Sequence, residues 1–168
     1  MNNLGSAAAI AQYKPFEPGE TAPSRGPERL EVNVIFTSYS GTLAALELAS
    51  RLGADLGCLK LLMLHAVPYA LPLEKPAVSI EFLEERVRDV TRLAPTATTA
   101  RIYLCRDPQD TLRRILQPHS LIVLGGKECW WPTTEQSLAR MLRKEGHEVI
   151  FVIPERSRNE VGLYAPYK

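Results

Sequence analysis

Five short stretches of the chain are apolar on both faces, or alternate apolar with polar residues, as β-strands do. A continuous run such as Leu61-Leu62-Met63-Leu64 is typical of a strand in the middle of a parallel sheet, where both faces are covered. The predicted strands cover residues 32–36, 59–67, 99–105, 121–124 and 149–153.

Between these strands, apolar residues recur at the spacing of helices that bury one face. The helices are predicted to begin after Gly41, after Ser79, after Asp107 and near Thr134. Ser79 and Asp107 are typical N-cap residues, and Pro108 fits the first helical position. A catalytic role for Asp107 stays open beside its capping role.

The resulting order, β-α-β-α-β-α-β-α-β, is that of a parallel sheet with right-handed crossovers and helices on both faces. We therefore expect an α/β fold with a doubly wound, five-stranded parallel sheet, formed by residues 31–154. In such a sheet, ligands bind beyond the carboxyl ends of the strands.

Two tails are predicted to flank this domain. Residues 1–30 hold closely spaced prolines and glycines and bury too little apolar surface to offset the entropy of ordering them. We expect this segment to be disordered, and a peptide that docks on a partner is the alternative. Residues 155–168 are polar and are expected to form a loose tail.

Net charge, cysteine content and hydropathy indicate which partners and which cellular location to expect. A formal net charge of +1 at pH 7 gives no electrostatic reason to expect a nucleic acid or a membrane surface as partner. The three cysteines show no CxxC spacing, which fits a reducing compartment. No apolar run approaches the roughly 18 residues of a membrane span, and no signal peptide is recognisable. We therefore expect a cytoplasmic location.

Motifs for catalysis and metal binding are missing from the sequence. There is no GxSxG, Walker A or GxGxxG motif, and His65, His119 and His147 are too scattered to form a metal site. His65, near the end of the second predicted strand, is interpreted as a neutral core histidine that bonds to the backbone, with a role as ligand or base left open. We expect no enzymatic activity, no metal and no cofactor.

A weak signal for a nucleotide site remains at the predicted carboxyl ends of the strands. Helix starts favour anions because their backbone N–H groups point outward, and glycines allow a ligand close to the backbone. Hydroxyls and glycines also serve as caps and tight corners, so this signal stays ambiguous. Its residues are Thr37, Ser38, Ser40, Gly125, Gly126 and Ser137.

Between Val32 and Ile153 the chain resembles the universal stress protein family. The resemblance rests on the order and spacing of four segments, which read VIFTSYSGTLAALELA, LLMLHAVP, LIVLGGK, and SLARMLRK followed by VIFV. It implies the adenine nucleotide alpha hydrolase-like fold. For members that bind ATP or AMP, it implies a site at Thr37, Ala66, Gly125, Gly126 and Ser137.

Several positions depart from the pattern of the family members that bind ATP. Thr37 stands where that pattern has an acid, and Glu128 stands where it has the second glycine of the phosphate loop. Glycines let the backbone cradle phosphates, and Glu128 adds negative charge there. We therefore expect a degenerate site without tight ATP binding. Three interpretations of Trp130 and Trp131 stay open: packing in the vacant pocket, an anchor for a protein partner, or a stacking platform for a base.

The resemblance leads to two functional hypotheses. The first is a non-catalytic stress-response or regulatory domain that acts through dimerisation or partner contacts. The family's usual pairing implies a homodimer through the last strand, from Val149 to Ile153, whose flat apolar edge would otherwise invite another chain. The alternative is a nucleotide-binding member with at most slow ATP hydrolysis.

Overall fold

The computed structural model describes residues 12–15, 30–53, 57–127 and 133–154. The chain order of the elements in these residues agrees with the sequence prediction from the second strand onward. The elements are β1 (Gln12–Pro15), β2 (Leu30–Ile35), α1 (Tyr39–Gly53), β3 (Gly57–Ala66), α2 (Ile80–Arg92), β4 (Thr98–Cys105), α3 (Pro108–Ile115), β5 (Leu121–Gly125), α4 (Thr134–Lys144) and β6 (Glu148–Val152).

All the described strands pair in parallel, in the order β1-β4-β3-β2-β5-β6. Strands β2 to β6 are the five predicted ones, and they confirm the doubly wound α/β fold. The central strand β2 has β3 on one side and β5 on the other. The topological switch point, where such sheets bind ligands, therefore lies between the carboxyl ends of β2 and β5.

The edge strand β1 is a difference from the prediction. It pairs with β4, with Gln12 in register with Arg101 and Pro15 with Leu104. The expected disorder therefore does not hold for these four residues, which pair with the backbone that β4 would otherwise expose. Pro15 ends the strand, as a residue without an N–H can do at an edge. Predictions for the rest of the first 29 residues and for residues 155–168 lie outside the described residues.

The core has two layers, one on each face of the sheet. The α1 and α2 layer buries residues such as Leu46 and Val87 against Leu61 and Ile102. The α3 and α4 layer buries Leu112 and Leu142 against Ile122 and Leu124 of β5. Because both faces of the central strands are covered, their near-continuous apolar sequence is explained.

The predicted N-caps are confirmed. Ser79 accepts a hydrogen bond from the N–H of Phe82 at 3.3 Å. One carboxylate oxygen of Asp107 accepts from the N–H groups of Gln109 and Asp110, at 2.8 and 3.2 Å. Capping by Asp107 is therefore shown directly. Across the described residues, no helix combines the length and the apolar character needed to cross a membrane.

Candidate functional site

Thr37 bridges the switch point of the sheet. It follows β2 directly, and its hydroxyl donates a hydrogen bond to the carbonyl oxygen of Gly125, the last residue of β5, at 2.5 Å. The backbone N–H of Thr37 donates to the hydroxyl of Thr42 in α1 at 3.2 Å. The residue that the resemblance places at the family's acidic position therefore ties β2, β5 and α1 together.

Gly41 and Gly125 meet backbone to backbone at the same place. A Cβ atom added to Gly125 would lie 1.8 Å from the carbonyl oxygen of Gly41 and 2.7 Å from its Cα. A Cβ atom added to Gly41 would lie 2.9 Å from the carbonyl oxygen of Gly125. Glycine at position 125 is thus required by the packing of α1 on β5, which explains it without a phosphate.

Gly126 makes room for a side chain of the protein itself. A Cβ atom there would lie 2.5 Å from Cζ of Phe151 and 3.2 Å from Cβ of Glu135. The N–H of Gly126 donates to the carbonyl oxygen of Val152 at 2.9 Å. Both the small size and the backbone donor of Gly126 are therefore used by contacts with β6 and α4.

The hydroxyl groups before α1 serve its first turn. The Ser38 hydroxyl accepts from the N–H of Gly41 at 3.2 Å, and the Ser38 carbonyl accepts from both the N–H and the hydroxyl of Thr42, at 2.8 and 2.6 Å. Ser40 is exposed. The capping interpretation of Ser38 agrees with these contacts, because the N–H groups of Gly41 and Thr42 already have acceptors within the protein.

Helix α4 is also capped by side chains of its own first turn and of the residue before it. The Thr133 hydroxyl accepts from the N–H of Gln136 at 3.2 Å, and the Gln136 side chain accepts from the N–H of Thr133 at 3.4 Å. This reciprocal pair is a capping box. Ser137 has an exposed side chain, and its N–H donates to the carbonyl of Thr133 at 3.0 Å.

The structure brings two of the predicted site residues into direct contact. Thr37 and Gly125 are in contact, and Gly126 is adjacent. Ala66 is exposed at the end of β3, and no hydrogen bond within the described ranges joins Ala66 or Ser137 to those three residues.

Sequence reasoning missed Gly41 and Thr42, which close the switch point. A local signal for the first was available, because glycine is a poor helix former and still lies in the first turn of α1. Glu128, Trp130 and Trp131 lie outside the described residues, and the predictions made for them stay predictions.

His65 and Cys105 lie beside the carboxyl end of the sheet and are the titratable groups there whose pKa values are displaced. Burial lowers the pKa of His65, which favours its neutral form. Its ring makes no hydrogen bond to any residue that the structure describes. Burial also raises the pKa of the Cys105 thiol, which donates weakly to the His65 carbonyl at 3.7 Å. A thiol with a raised pKa is unreactive at neutral pH.

Arg106 holds the loop that leaves β3. One guanidinium nitrogen donates to the carbonyl oxygens of Val67 and Pro68, at 3.0 and 2.5 Å. The same guanidinium lies 5.2 Å from the ring centre of Tyr69, a cation–π distance. No group of three or more potential ligands among the described residues could hold a metal ion.

Fold and site together define a doubly wound α/β protein in which Thr37 bridges the switch point and the backbones of Gly41 and Gly125 are in close contact there. No family model, curated protein or solved structure matches the chain. The likeness to universal stress proteins therefore stays a prediction from the sequence.

Proposed function

We propose that this chain is a non-catalytic regulatory domain of the universal stress protein type, located in the cytoplasm, that has lost tight adenine-nucleotide binding. It acts through dimerisation or through contacts with protein partners. The observation that carries the proposal is the closed switch point, where Thr37 donates to Gly125 and Gly41 touches Gly125.

Nucleotide phosphates would have to compete with contacts already made at this point. The N–H groups of Gly41, Thr42 and Gly126 all have acceptors within the protein. Each such bond contributes about 0.5–1.5 kcal/mol net, and a cost of about 1.4 kcal/mol weakens binding tenfold. Glu135, whose Cβ lies near Gly126, adds a carboxylate in the first turn of α4 and opposes an anion there.

The reactive groups near the switch point also favour a non-catalytic role. The Thr37 hydroxyl donates its hydrogen bond to a backbone carbonyl and not to a base. A hydroxyl nucleophile needs a general base within hydrogen-bond reach, and a thiol nucleophile needs a lowered pKa. The Cys105 thiol has a raised one.

Strand β6 supports the proposed contact between copies. It is an edge strand in the described sheet, its apolar residues are only half-buried, and Ile153 just beyond it is 47% exposed. The N–H of Glu148 and the carbonyl of Val152 bond to the chain on the β5 side. Because backbone groups alternate sides along a strand, those of Val149 and Phe151 point to the outer edge.

One outer group of β6 is already occupied. A guanidinium nitrogen of Arg143 donates to the carbonyl oxygen of Val149 at 2.9 Å. A second copy would therefore pair with the later part of this edge, around Phe151 and Ile153. The Trp130–Trp131 pair is the other proposed partner contact, because tryptophan is favoured at interface hot spots.

Ligand binding tests the first part of the proposal. We expect ATP, ADP and AMP, each with and without Mg²⁺, to leave the melting temperature unchanged at concentrations up to about 1 mM, and equilibrium dialysis to show no retention. A ligand at about 100 times its Kd adds about 2.7 kcal/mol of stability. A clear shift at sub-millimolar ATP would contradict the proposal and support the nucleotide-binding alternative.

Light scattering of the purified chain tests the contact. We expect the wild-type chain to form a dimer. Ile153→Lys is expected to weaken that dimer, because a lysine at a sheet edge disfavours strand pairing. Leu93→Lys is the matched control, since Leu93 is also an exposed apolar residue, at 60%, but lies at the end of α2. A wild-type chain that stays monomeric up to about 100 μM would contradict a dimer of useful affinity.

A further inference from the structure

A small cleft lies near the amino ends of the strands, on the face that α3 and α4 cover. It is at the other end of the sheet from Thr37 and Gly125. Its volume is about 20 Å³, enough for one water-sized group. The lining residues are Glu31, Asn33, Lys60, Leu62, Arg101, Tyr103, Ile115 and Gln117.

Asn33 is the first sign that the cleft holds a ligand. It lies in β2 and is only 4% exposed. Its carboxamide has no hydrogen-bond partner among the residues that the structure describes, although buried polar side chains are nearly always paired. An unpaired amide that lines a cavity therefore points to a polar group that binds there.

The charges around Asn33 indicate the sign of that group. Lys60 forms an ion pair with Glu31, so these two charges compensate each other. Arg101 on the neighbouring strand β4 is half-buried and has no carboxylate partner in the described part of the chain. Among the described residues that line the cleft, one positive charge is therefore left without a carboxylate partner, and a single negative charge would balance it.

We propose that this cleft binds the carboxylate group of a small monocarboxylate. The guanidinium of Arg101 offers parallel N–H donors in the geometry that suits a carboxylate. The amide nitrogen of Asn33 supplies a further donor. A phosphate dianion is disfavoured, because its second charge would lie near Glu31 without a cation to balance it.

The apolar lining and the volume limit the size of the ligand. Leu62, Ile115 and Tyr103 line the cleft together with the charged and polar groups. At about 20 Å³ the cavity admits one carboxylate oxygen, so the rest of the ligand would lie at its mouth. The site shares no residue with the switch point, so it is independent of the proposed function.

NMR on the full-length, ¹⁵N-labelled chain tests the site with acetate as the probe. The side-chain amide signals of Asn33 are assigned by their absence in Asn33→Leu. We expect them to shift and saturate with sodium acetate, and to stay in place with sodium chloride at the same ionic strength. Acetamide, the neutral isostere of acetate, is expected to leave them in place as well. Equal shifts with acetate and acetamide would overturn the charge assignment.

Variants of Arg101 separate a specific contact from a general salt effect. We expect Arg101→Met to weaken acetate binding at least tenfold, since the charge-assisted bonds are lost. Arg101→Lys keeps the positive charge but loses the parallel N–H donors of the guanidinium. Its acetate affinity is expected to lie between those of Arg101→Met and the wild type. An unchanged acetate affinity in Arg101→Met would overturn the proposal, as would tighter binding of inorganic phosphate than of acetate.

Asn33→Leu keeps the proposal testable if the arginine variants fail to fold. Leucine has a similar size and leaves no unpaired amide, so we expect its melting temperature without acetate to equal or exceed that of the wild type. Acetate is expected to raise the melting temperature of the wild type alone. A wild-type acetate response retained in Asn33→Leu would overturn the proposal.

Discussion

Single residues decide whether the switch point is open or closed. Thr37 was predicted to lie there, because it directly follows an apolar strand. Its bond to the Gly125 carbonyl was not predictable, because it depends on how closely α1 approaches β5 across a long sequence separation. The glycines at 125 and 126 were recognised as unusual, and the atoms that occupy the space beside them, from Gly41 and Phe151, could be identified only from the structure.

Replacing Thr37 tests the bridge. Thr37→Val keeps the shape of the side chain but removes the donor, and leaves the Gly125 carbonyl without it. We expect the free energy of unfolding, measured by urea denaturation, to fall by about 1–2 kcal/mol. Thr37→Ser keeps the hydroxyl and is expected to lose much less. Equal losses in both variants would show that the methyl group, and not the hydrogen bond, stabilises this point.

At the scale of elements, local signals predicted most of the structure. Continuous apolar runs identified β3 and β5, and cap residues located the starts of α2 and α3. The strand β1 was missed because its four residues, Gln-Tyr-Lys-Pro, carry no local strand pattern. Its pairing is a long-range contact with the edge of β4, and the strand propensity of the four residues does not predict such a contact.

The Asp107 cap of α3 can be tested directly. Asp107→Ala removes the acceptor of two backbone N–H bonds, and we expect a loss of about 1 kcal/mol in the free energy of unfolding. Asp107→Asn keeps an oxygen acceptor and should lose less than Asp107→Ala. If the alanine variant were as stable as the wild type, the capping explanation of this aspartate would be wrong.

At the scale of the whole molecule, two histidines couple folding to pH. Burial lowers the pKa of both His65 and His147. For His147, nearby Glu145 opposes this effect and His119 adds to it. Nδ1 of His147 also accepts from the N–H of Ser120 at 3.3 Å, which requires that nitrogen to be unprotonated. The fold therefore favours the neutral form of both rings.

The sign of the pH dependence follows from these shifts. The unfolded chain binds a proton at each histidine near pH 6.5, and the folded chain does so only at a lower pH. The contribution of these two histidines to stability is therefore fully present above about pH 6.5, and it is lost as the pH falls from there towards the lower folded pKa values.

Urea denaturation between about pH 8 and about pH 5 measures this loss before the carboxylates titrate. The double variant His65→Gln and His147→Gln is expected to remove most of the slope. A slope of the same size in the double variant would mean that other groups cause the pH dependence.

The parallel, doubly wound class of the sheet was predictable from the alternation of strands and helices. Whether the hydroxyls and glycines at the switch point bind a phosphate or cap helices was not predictable. Caps and anion sites use the same residue types, and only the hydrogen bonds seen in the structure distinguish them. Ser38 illustrates this: by sequence it could belong to a phosphate site, and in the structure its hydroxyl accepts from the N–H of Gly41 in the first turn of α1.

The contact between Gly41 and Gly125 also provides a way to sort related sequences. A larger residue at either position would push α1 away from β5, and an acid in place of Thr37 could not donate to the Gly125 carbonyl. A related chain that keeps these contacts must therefore keep glycine at positions 41 and 125 and a hydroxyl residue at position 37. Sequences in which all three change together would mark relatives with an open crevice, and these would be the ones to assay for nucleotides.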